Sequence, residues 1–254
     1  MAQSSQWIIG RNPVEEALRS AIEIEKVFLQ QGITGDLEKF LRHTCKDRGI
    51  PLSIVPKDKM QKLVNGAHQG VAAMIAPIRY HVLEDVLPHL FDQGKTPFLV
   101  MLDGIQDARN LGALARSAWV FGADALIVGT KNSAPINELA VKASAGALLQ
   151  LPVCRVTSMV NALLYVRASG CVTMASDLQG TDTVEEMEWS EPAMVVIGSE
   201  GEGVQPALLK RADRRFIIPQ QRTFDSLNAS VAGGIIFYEI FKHRIKSFGP
   251  ESGS

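Results

Sequence analysis

From Phe98 onward the chain repeats one pattern, a short uninterrupted apolar run followed by a stretch with helical spacing. The clearest runs are 98–102, 125–128, 172–175 and 194–197. A strand with one wet face alternates apolar and polar residues, whereas a strand apolar at every position is covered on both faces. Such runs alternating with helices predict an α/β fold built on a parallel sheet. Ligands of such a sheet bind outside the carboxyl ends of its strands. Helices are expected over 111–121, 136–148, 160–168 and 205–210, with further strands near 152–156 and 216–218.

The first part of the chain reads as a smaller alternating unit. Strands are expected over 7–10, 26–29, 52–55 and 71–75, and helices over 13–20, 36–48 and 58–64, the first with Asn12 as cap and Pro13 at its first position. The predicted organisation is a small domain over 6–76, a connection over 77–97 marked by Pro77, Pro88, Gly94 and Pro97 with a helix-like stretch over 83–91 inside it, and a larger domain over 98–246.

Composition removes several function classes. The 254 residues carry a formal net charge of −1, with 11 Lys/Arg against 8 Asp/Glu before Tyr80 and an acidic balance after it. This mild asymmetry permits an anionic partner on the first domain. Cys45, Cys154 and Cys171 lack metal-ligand spacing, so no disulfide framework and no metal are expected. No apolar run reaches membrane-spanning length and the first residues lack a signal-peptide pattern, so a cytoplasmic protein is expected.

Three stretches at expected strand ends carry chemistry. In the first, Asp103 to Arg116, Asn110 suits a helix cap as well as a site residue, and Arg116 follows nearly two turns later with Gly112 and Ala113 leaving room beside it. The second, Gly198-Ser199-Glu200-Gly201-Glu202-Gly203, sets glycines around a carboxylate, so the backbone can lie against a flat ligand. It is neither GxGxxG nor a P-loop, which disfavours a nicotinamide oxidoreductase. The third, Ser226-Leu227-Asn228-Ala229-Ser230, leads into an apolar helix from Val231, with Ser226 or Asn228 as cap. Its paired Gly233 and Gly234 imply close approach by another backbone or a ligand.

Taken together, Asn110-Leu111-Gly112-Ala113-Leu114-Ala115-Arg116, Ile197-Gly198-Ser199-Glu200-Gly201-Glu202-Gly203 and Ile218-Pro219 with Ser226-Leu227-Asn228-Ala229-Ser230-Val231-Ala232 resemble the SpoU branch of the SPOUT RNA ribose methyltransferases. Gly10-Arg11-Asn12-Pro13-Val14 and His68-Gln69-Gly70-Val71-Ala72 resemble that family's small RNA-binding domain, of L30e-like fold. Two departures are Ala108, where the family usually has proline, and Gly234, where a bulkier small residue is common.

The resemblance implies a deep trefoil knot through 193–234, a homodimer, and S-adenosylmethionine as cofactor, held at Gly198, Ser199, Gly201, Ile218 and Leu227. It implies catalytic roles for Asn110, Arg116, Glu200, Ser226 and Asn228, and RNA contacts at Arg11, Asn12, His68 and Gln69, with Lys57, Lys59 and Lys62 nearby. Its branch points to a guanosine of 23S ribosomal RNA, with tRNA methylation or a non-catalytic RNA-binding protein as alternatives. Independently of the resemblance, the final helix is apolar on more than one face, at Val231, Ile235, Ile236, Phe237, Ile240 and Phe241, which also suits a dimer.

Overall fold

Every residue of strands 98–102, 125–129 and 193–197 is buried, and they lie together inside one sheet. The computed structural model describes residues 7–221 and 227–248. They fall into two units, one reaching Arg79 and including Pro135–Asn137, the other holding the remainder.

The first unit runs β1 (Trp7–Ile9), α1 (Arg11–Arg19), β2 (Ile24–Gln30), α2 (Asp36–Asp47), β3 (Leu52–Val55), α3 (Lys57–Leu63) and β4 (Val71–Ile75). Its sheet has the order β1-β4-β2-β3, with β4 antiparallel to both neighbours and β2 parallel to β3. Val14, Leu18, Leu29, Leu41 and Val71 form its core on one face, and Phe28, Met60 and Met74 pack on the other. The first helix starts earlier than the Asn12-Pro13 pair predicts. Gly10, at φ +99°, takes the cap position, and its carbonyl accepts the Val14 N–H. Pro13 then sits in the first turn, where its missing N–H costs nothing.

The second unit runs β5 (Tyr80–His81), α4 (Leu83–Asp92), β6 (Phe98–Leu102), α5 (Ala108–Val120), β7 (Ala125–Gly129), α6 (Glu138–Ala143), a 3-10 turn at Ala147–Leu149, β8 (Val153–Val156), α7 (Met159–Ala168), β9 (Val172–Ser176), β10 (Asp182–Thr183), β11 (Ala193–Ile197), α8 (Pro206–Leu209), β12 (Arg214–Ile217) and α9 (Ala229–Phe248). Its sheet is parallel throughout, in the order β10-β12-β9-β11-β6-β7-β8-β5. The chain steps outward from β6 through β7 to β8, then returns to β9 on the other side. β11 fills the place between, paired with β6 from Ala193 opposite Phe98 to Ile197 opposite Leu102. The direction of winding therefore reverses at β6 and β11, where a parallel sheet opens a crevice at its carboxyl edge.

Three sequence expectations change here. Most of 77–97 is no bare connection: β5 pairs with β8, and Leu83, Leu87 and Leu90 of α4 are buried against the sheet. The helix-like stretch expected over 83–91 is helical, and its inner face is apolar. The helix expected over 136–148 breaks, because Ala145 and Gly146 take left-handed φ values of +49° and +87°. Gly112 does not make room for Arg116. It is buried against α6, where an added Cβ would stand 2.4 Å from the Ala140 carbonyl oxygen and 2.7 Å from the Ala143 Cβ.

α9 is fixed at its far end by one guanidinium. Arg244 donates to the carbonyls of Thr96, Pro97, Trp189 and Glu191, at 2.8 to 3.2 Å, and lies over the Phe98 ring. These carbonyls lie just before β6 and β11, so α9 is pinned to the edge of the sheet opposite the crevice. The three cysteines are buried, and burial pushes the thiols up, to about 11 for Cys45 and Cys171 and about 12 for Cys154.

Two outcomes are expected. Gly112→Ala should lower unfolding stability by about 1–3 kcal/mol in urea titration, since its neighbours across the contact are backbone and a packed methyl. Iodoacetamide at pH 8 should leave all three thiols of the native protein unmodified and label them once the chain is unfolded, because the thiolate is the reactive form.

Candidate active site

β11 ends at Ile197, and the chain turns through Gly198 to Gly203 in a closed loop. The Ser199 N–H donates to the Gly203 carbonyl at 3.1 Å, and the Gly203 N–H donates back to Ser199 at 2.9 Å. Gly198 lies flat against the returning strand, where an added Cβ would meet the Gly203 carbonyl carbon at 2.0 Å and the Val204 nitrogen at 2.1 Å. Gly201 and Gly203 have φ values of +87° and +68°. Backbone packs on backbone here, so the flank of the turn at Gly198 and Gly203 presents peptide groups, while Glu200 and Glu202 are exposed at its tip.

Beside this loop lies a cavity of about 260 Å³. Gly198, Ser199, Gly201, Ile218 and Leu227, the five residues singled out for a cofactor, all line it. Ile218 follows β12 and Leu227 precedes α9, so three separate turns meet at one place. Sequence reasoning missed a fourth wall, Ser176 to Gln179 after β9. A signal was present, since the apolar run 172–175 is followed by a polar turn and Gly180. At Gly180 an added Cβ would approach the Phe216 carbonyl carbon to 2.6 Å. Leu178 stands 63% exposed on this wall.

The polar groups gather around Asn228. Its Oδ1 accepts the Ser230 N–H at 3.0 Å and the Ser230 hydroxyl at 2.6 Å, and its carbonyl accepts the Ala232 N–H, so Asn228 caps α9. With Oδ1 committed to the helix, the amide orientation is fixed and Nδ2 faces away from it. That Nδ2 donates to Glu200 Oε2 at 3.1 Å and to Asn110 Oδ1 at 3.4 Å.

Asn110 does not cap α5. Asp107 does, accepting the N–H groups of Arg109 and Asn110 at 2.6 and 3.1 Å. A carboxylate three residues upstream has taken the capping task, which releases the Asn110 side chain to the network. Arg116 is exposed on α5, and among the described residues no hydrogen bond or ion pair holds it. Ser226 lies outside the described residues.

Two family models account for nearly the whole chain: the SpoU rRNA methylase family matches residues 97–238, and the RNA 2′-O ribose methyltransferase substrate-binding family matches residues 7–81. This chain belongs to the SpoU methylase family. Among curated relatives, the Bacillus subtilis (strain 168) chain named "Putative TrmH family tRNA/rRNA methyltransferase YacO" is 30% identical over 96% of this chain and 98% of its own length. A tRNA/rRNA methyltransferase of Mycolicibacterium vanbaalenii is 34% identical over 94% of this chain and 77% of its own. Among solved members, the AdoMet-bound rRNA methyltransferase of Sinorhizobium meliloti superposes with a TM-score of 0.60 at 25% identity, covering 93% of this chain and 87% of that one. The SpoU methyltransferase AviRb of Streptomyces viridochromogenes shares the fold, with a TM-score of 0.61 at 23% identity over 96% and 91% of the two chains.

The unit matched by the substrate-binding model has its own concavity, lined by Arg11, Gln30, Ile33, His68, Gln69 and Gly70. Gln69, at φ +50°, turns its side-chain oxygen to the Arg11 N–H at 3.2 Å, and its carbonyl accepts from Arg11 Nε at 3.4 Å. His68 Nδ1 accepts the Gly70 N–H at 3.0 Å, which fixes the tautomer with hydrogen on Nε2. Gln30 and Ile33 carried no motif and were missed. Asn12 is exposed on α1 and does not line this concavity, nor do Lys57, Lys59 and Lys62, which are exposed on α3.

The Asn228 geometry separates capping from the side-chain network. Asn228→Ala should cost about 1 kcal/mol of stability, the worth of a helix cap, and Asn228→Asp should recover only part of it, since a carboxylate caps as well as an amide but sets its second oxygen against Glu200. Thermal melts of the two variants side by side check this.

Proposed function

We propose that this chain transfers a methyl group from S-adenosylmethionine to the ribose 2′-hydroxyl of a guanosine in large-subunit ribosomal RNA. The observation that carries the reading is the meeting, at the ends of adjacent strands, of a peptide-walled cavity with the hydrogen-bonded set Asn110, Asn228 and Glu200. The cavity suits the cofactor because Gly198 leaves main-chain groups open to a flat ring and Leu178, Ile218 and Leu227 offer apolar contact. The bound cofactor supplies an electrophilic methyl; the chain must do the rest.

The acceptor hydroxyl loses its proton as it attacks, so the site needs a group that takes the proton or stabilises the forming alkoxide. Glu200 keeps a second oxygen clear of the Asn228 bond. Asn110 keeps its Nδ2 as a donor. Arg116, reached from the same helix, grips the RNA phosphate and offers charge to the alkoxide. A guanidinium is a poor base, which makes the electrostatic role the better fit. Ser226, which precedes Leu227 in the sequence, completes the set in this reading.

The division of labour follows the two units. The first takes RNA at the Arg11, His68 and Gln69 concavity, with Asn12 and the α3 lysines as further contacts in this reading, and the second carries the chemistry. Single-stranded or looped RNA fits best, since a 2′-hydroxyl must reach a recessed methyl. The 97–238 match to a family described by rRNA methylation supports a ribosomal substrate, while the tRNA/rRNA names of the relatives keep tRNA as the second reading. A second copy of the chain belongs on the exposed apolar residues Trp119 and Val120 of α5 and Val231, Ile235 and Tyr238 of α9. These two helices are joined by ring contacts of Phe121 with Tyr238 and Phe241. The knotted threading of 193–234 belongs to the same reading.

Mapping ribose methylation on ribosomal RNA from cells lacking the gene tests the substrate; an unchanged map with a lost tRNA methyl would transfer the activity to tRNA. Arg116→Ala should reduce methyl transfer by at least about a hundredfold with cofactor affinity nearly unchanged, on the scale of one lost oxyanion donor. Arg116→Lys should stay inactive at every pH if the bidentate grip is what counts, whereas recovery at high pH would assign a proton-accepting role. Light scattering should give twice the 27.6 kDa chain mass at micromolar concentration.

A further inference from the structure

We infer that Asp103, outside the set so far assigned to the chemistry, is a positioning residue that holds the Gly198–Gly203 loop, and with it Glu200, at its working distance from Asn110. The inference rests on the reading of this crevice as the methyl-transfer site. Asp103 closes β6 and is only 8% exposed, a rare place for a carboxylate unless its oxygens are used. Both are used on one residue. Oδ2 accepts the Gln205 N–H at 2.7 Å, and Oδ1 accepts the Gln205 side-chain Nε2 at 2.8 Å. The Asp103 N–H meanwhile donates to the Ile197 carbonyl at 2.8 Å.

Asp103 thus grips the polypeptide on both sides of the glycine loop, at its last strand residue and at the first residue beyond Val204. The loop's own bonds, between Ser199 and Gly203, close the turn on itself. Asn110 hangs from the same strand end, one loop and the Asp107 cap further on. Glu200 and Asn110 therefore take their separation from a common anchor, and the Asn228 amide spans the gap that the anchor sets. Its bidentate hold reaches 102 positions along the chain to Gln205, an exposed residue that opens α8, and so fixes the chain at the point where it leaves the loop.

The clamp has a polarity that can be reversed. Gln205→Glu sets a second carboxylate against Asp103 and breaks one bond while keeping size and shape. Asp103→Asn restores it in the double variant, because the new amide oxygen accepts the 205 N–H while its nitrogen donates to the new carboxylate. The experiment measures single-turnover methyl transfer to transcribed large-subunit ribosomal RNA at saturating S-adenosylmethionine, and amide hydrogen exchange over 198–205, for wild type, Gln205→Glu and Asp103→Asn/Gln205→Glu. All three are assayed well below their melting temperatures.

Gln205→Glu should lose at least about tenfold in rate, the worth of one hydrogen bond to a charged group, and the double variant should regain most of it. Loop protection should fall and return in parallel. A wild-type rate in Gln205→Glu, or a double variant no faster than that single variant, would overturn the positioning role, because a purely stabilising contact moves the melting temperature and leaves the saturated rate alone. Wild type that transfers no methyl to any RNA would instead overturn the methyltransferase reading, and the exchange data would then still decide whether Asp103 holds the loop. Asp103→Ala, which removes both bonds, need not fold for the comparison to stand.

Discussion

At Gly198 two stretches of backbone lie closer than any side chain allows. The strand β11 and the returning segment at Gly203 and Val204 touch through main-chain atoms, and the rest of the crevice is arranged around that contact. Because the turn closes on itself, its tip carries Glu200 outward at a defined place, and its flank offers peptide groups to the cavity. A methyl group at this position would separate the segments by more than an ångström, and the cavity wall, the Glu200 position and the Asp103 grip would all shift together.

The sheet supplies the second requirement. Parallel strands all end on the same edge, so turns after β6, β9, β11 and β12 converge there although they are scattered from residue 103 to residue 218. Reversal of winding between β6 and β11 leaves a gap between the turns that no connection crosses. α9 then closes one side. It is pinned by Arg244 to the opposite edge of the sheet and packs beside α5 so tightly that a Cβ at Gly233 would reach 2.2 Å from Leu114 Cδ2. Of the two adjacent glycines, only Gly233 meets a neighbour; around Gly234 the space within 4 Å is open.

The chemistry depends on where the caps fall. Asparagine at a helix start is ordinarily consumed by capping, and two asparagines at two helix starts would ordinarily contribute nothing else. Here Asp107 caps α5 in place of Asn110, and Asn228 caps α9 with its oxygen only. One amide is released whole and the other by half. Their meeting with Glu200 makes a polar cluster from groups that each have a plain structural use.

Local rules of chain chemistry determined much of this protein from its sequence. Unbroken apolar runs require a sheet covered on both faces, and glycines at 198, 201 and 203 require a turn with left-handed or contact-limited backbone. The order of the three motif stretches fixed the family. Tertiary structure alone decided the rest, because the deciding contacts are distant in the chain. Asp107 and Asn110 are both good caps, and nothing local to Asn110 shows that its released amide will meet Asn228, 118 positions away. Residues 77–97 read as a connection holding one helix, yet a two-residue strand on β8 and three buried leucines of that helix make the stretch part of the sheet's cover. The wall after β9 and the Asp103 hold on Gln205 carry no motif at all. They exist only once parallel strands have brought their ends together.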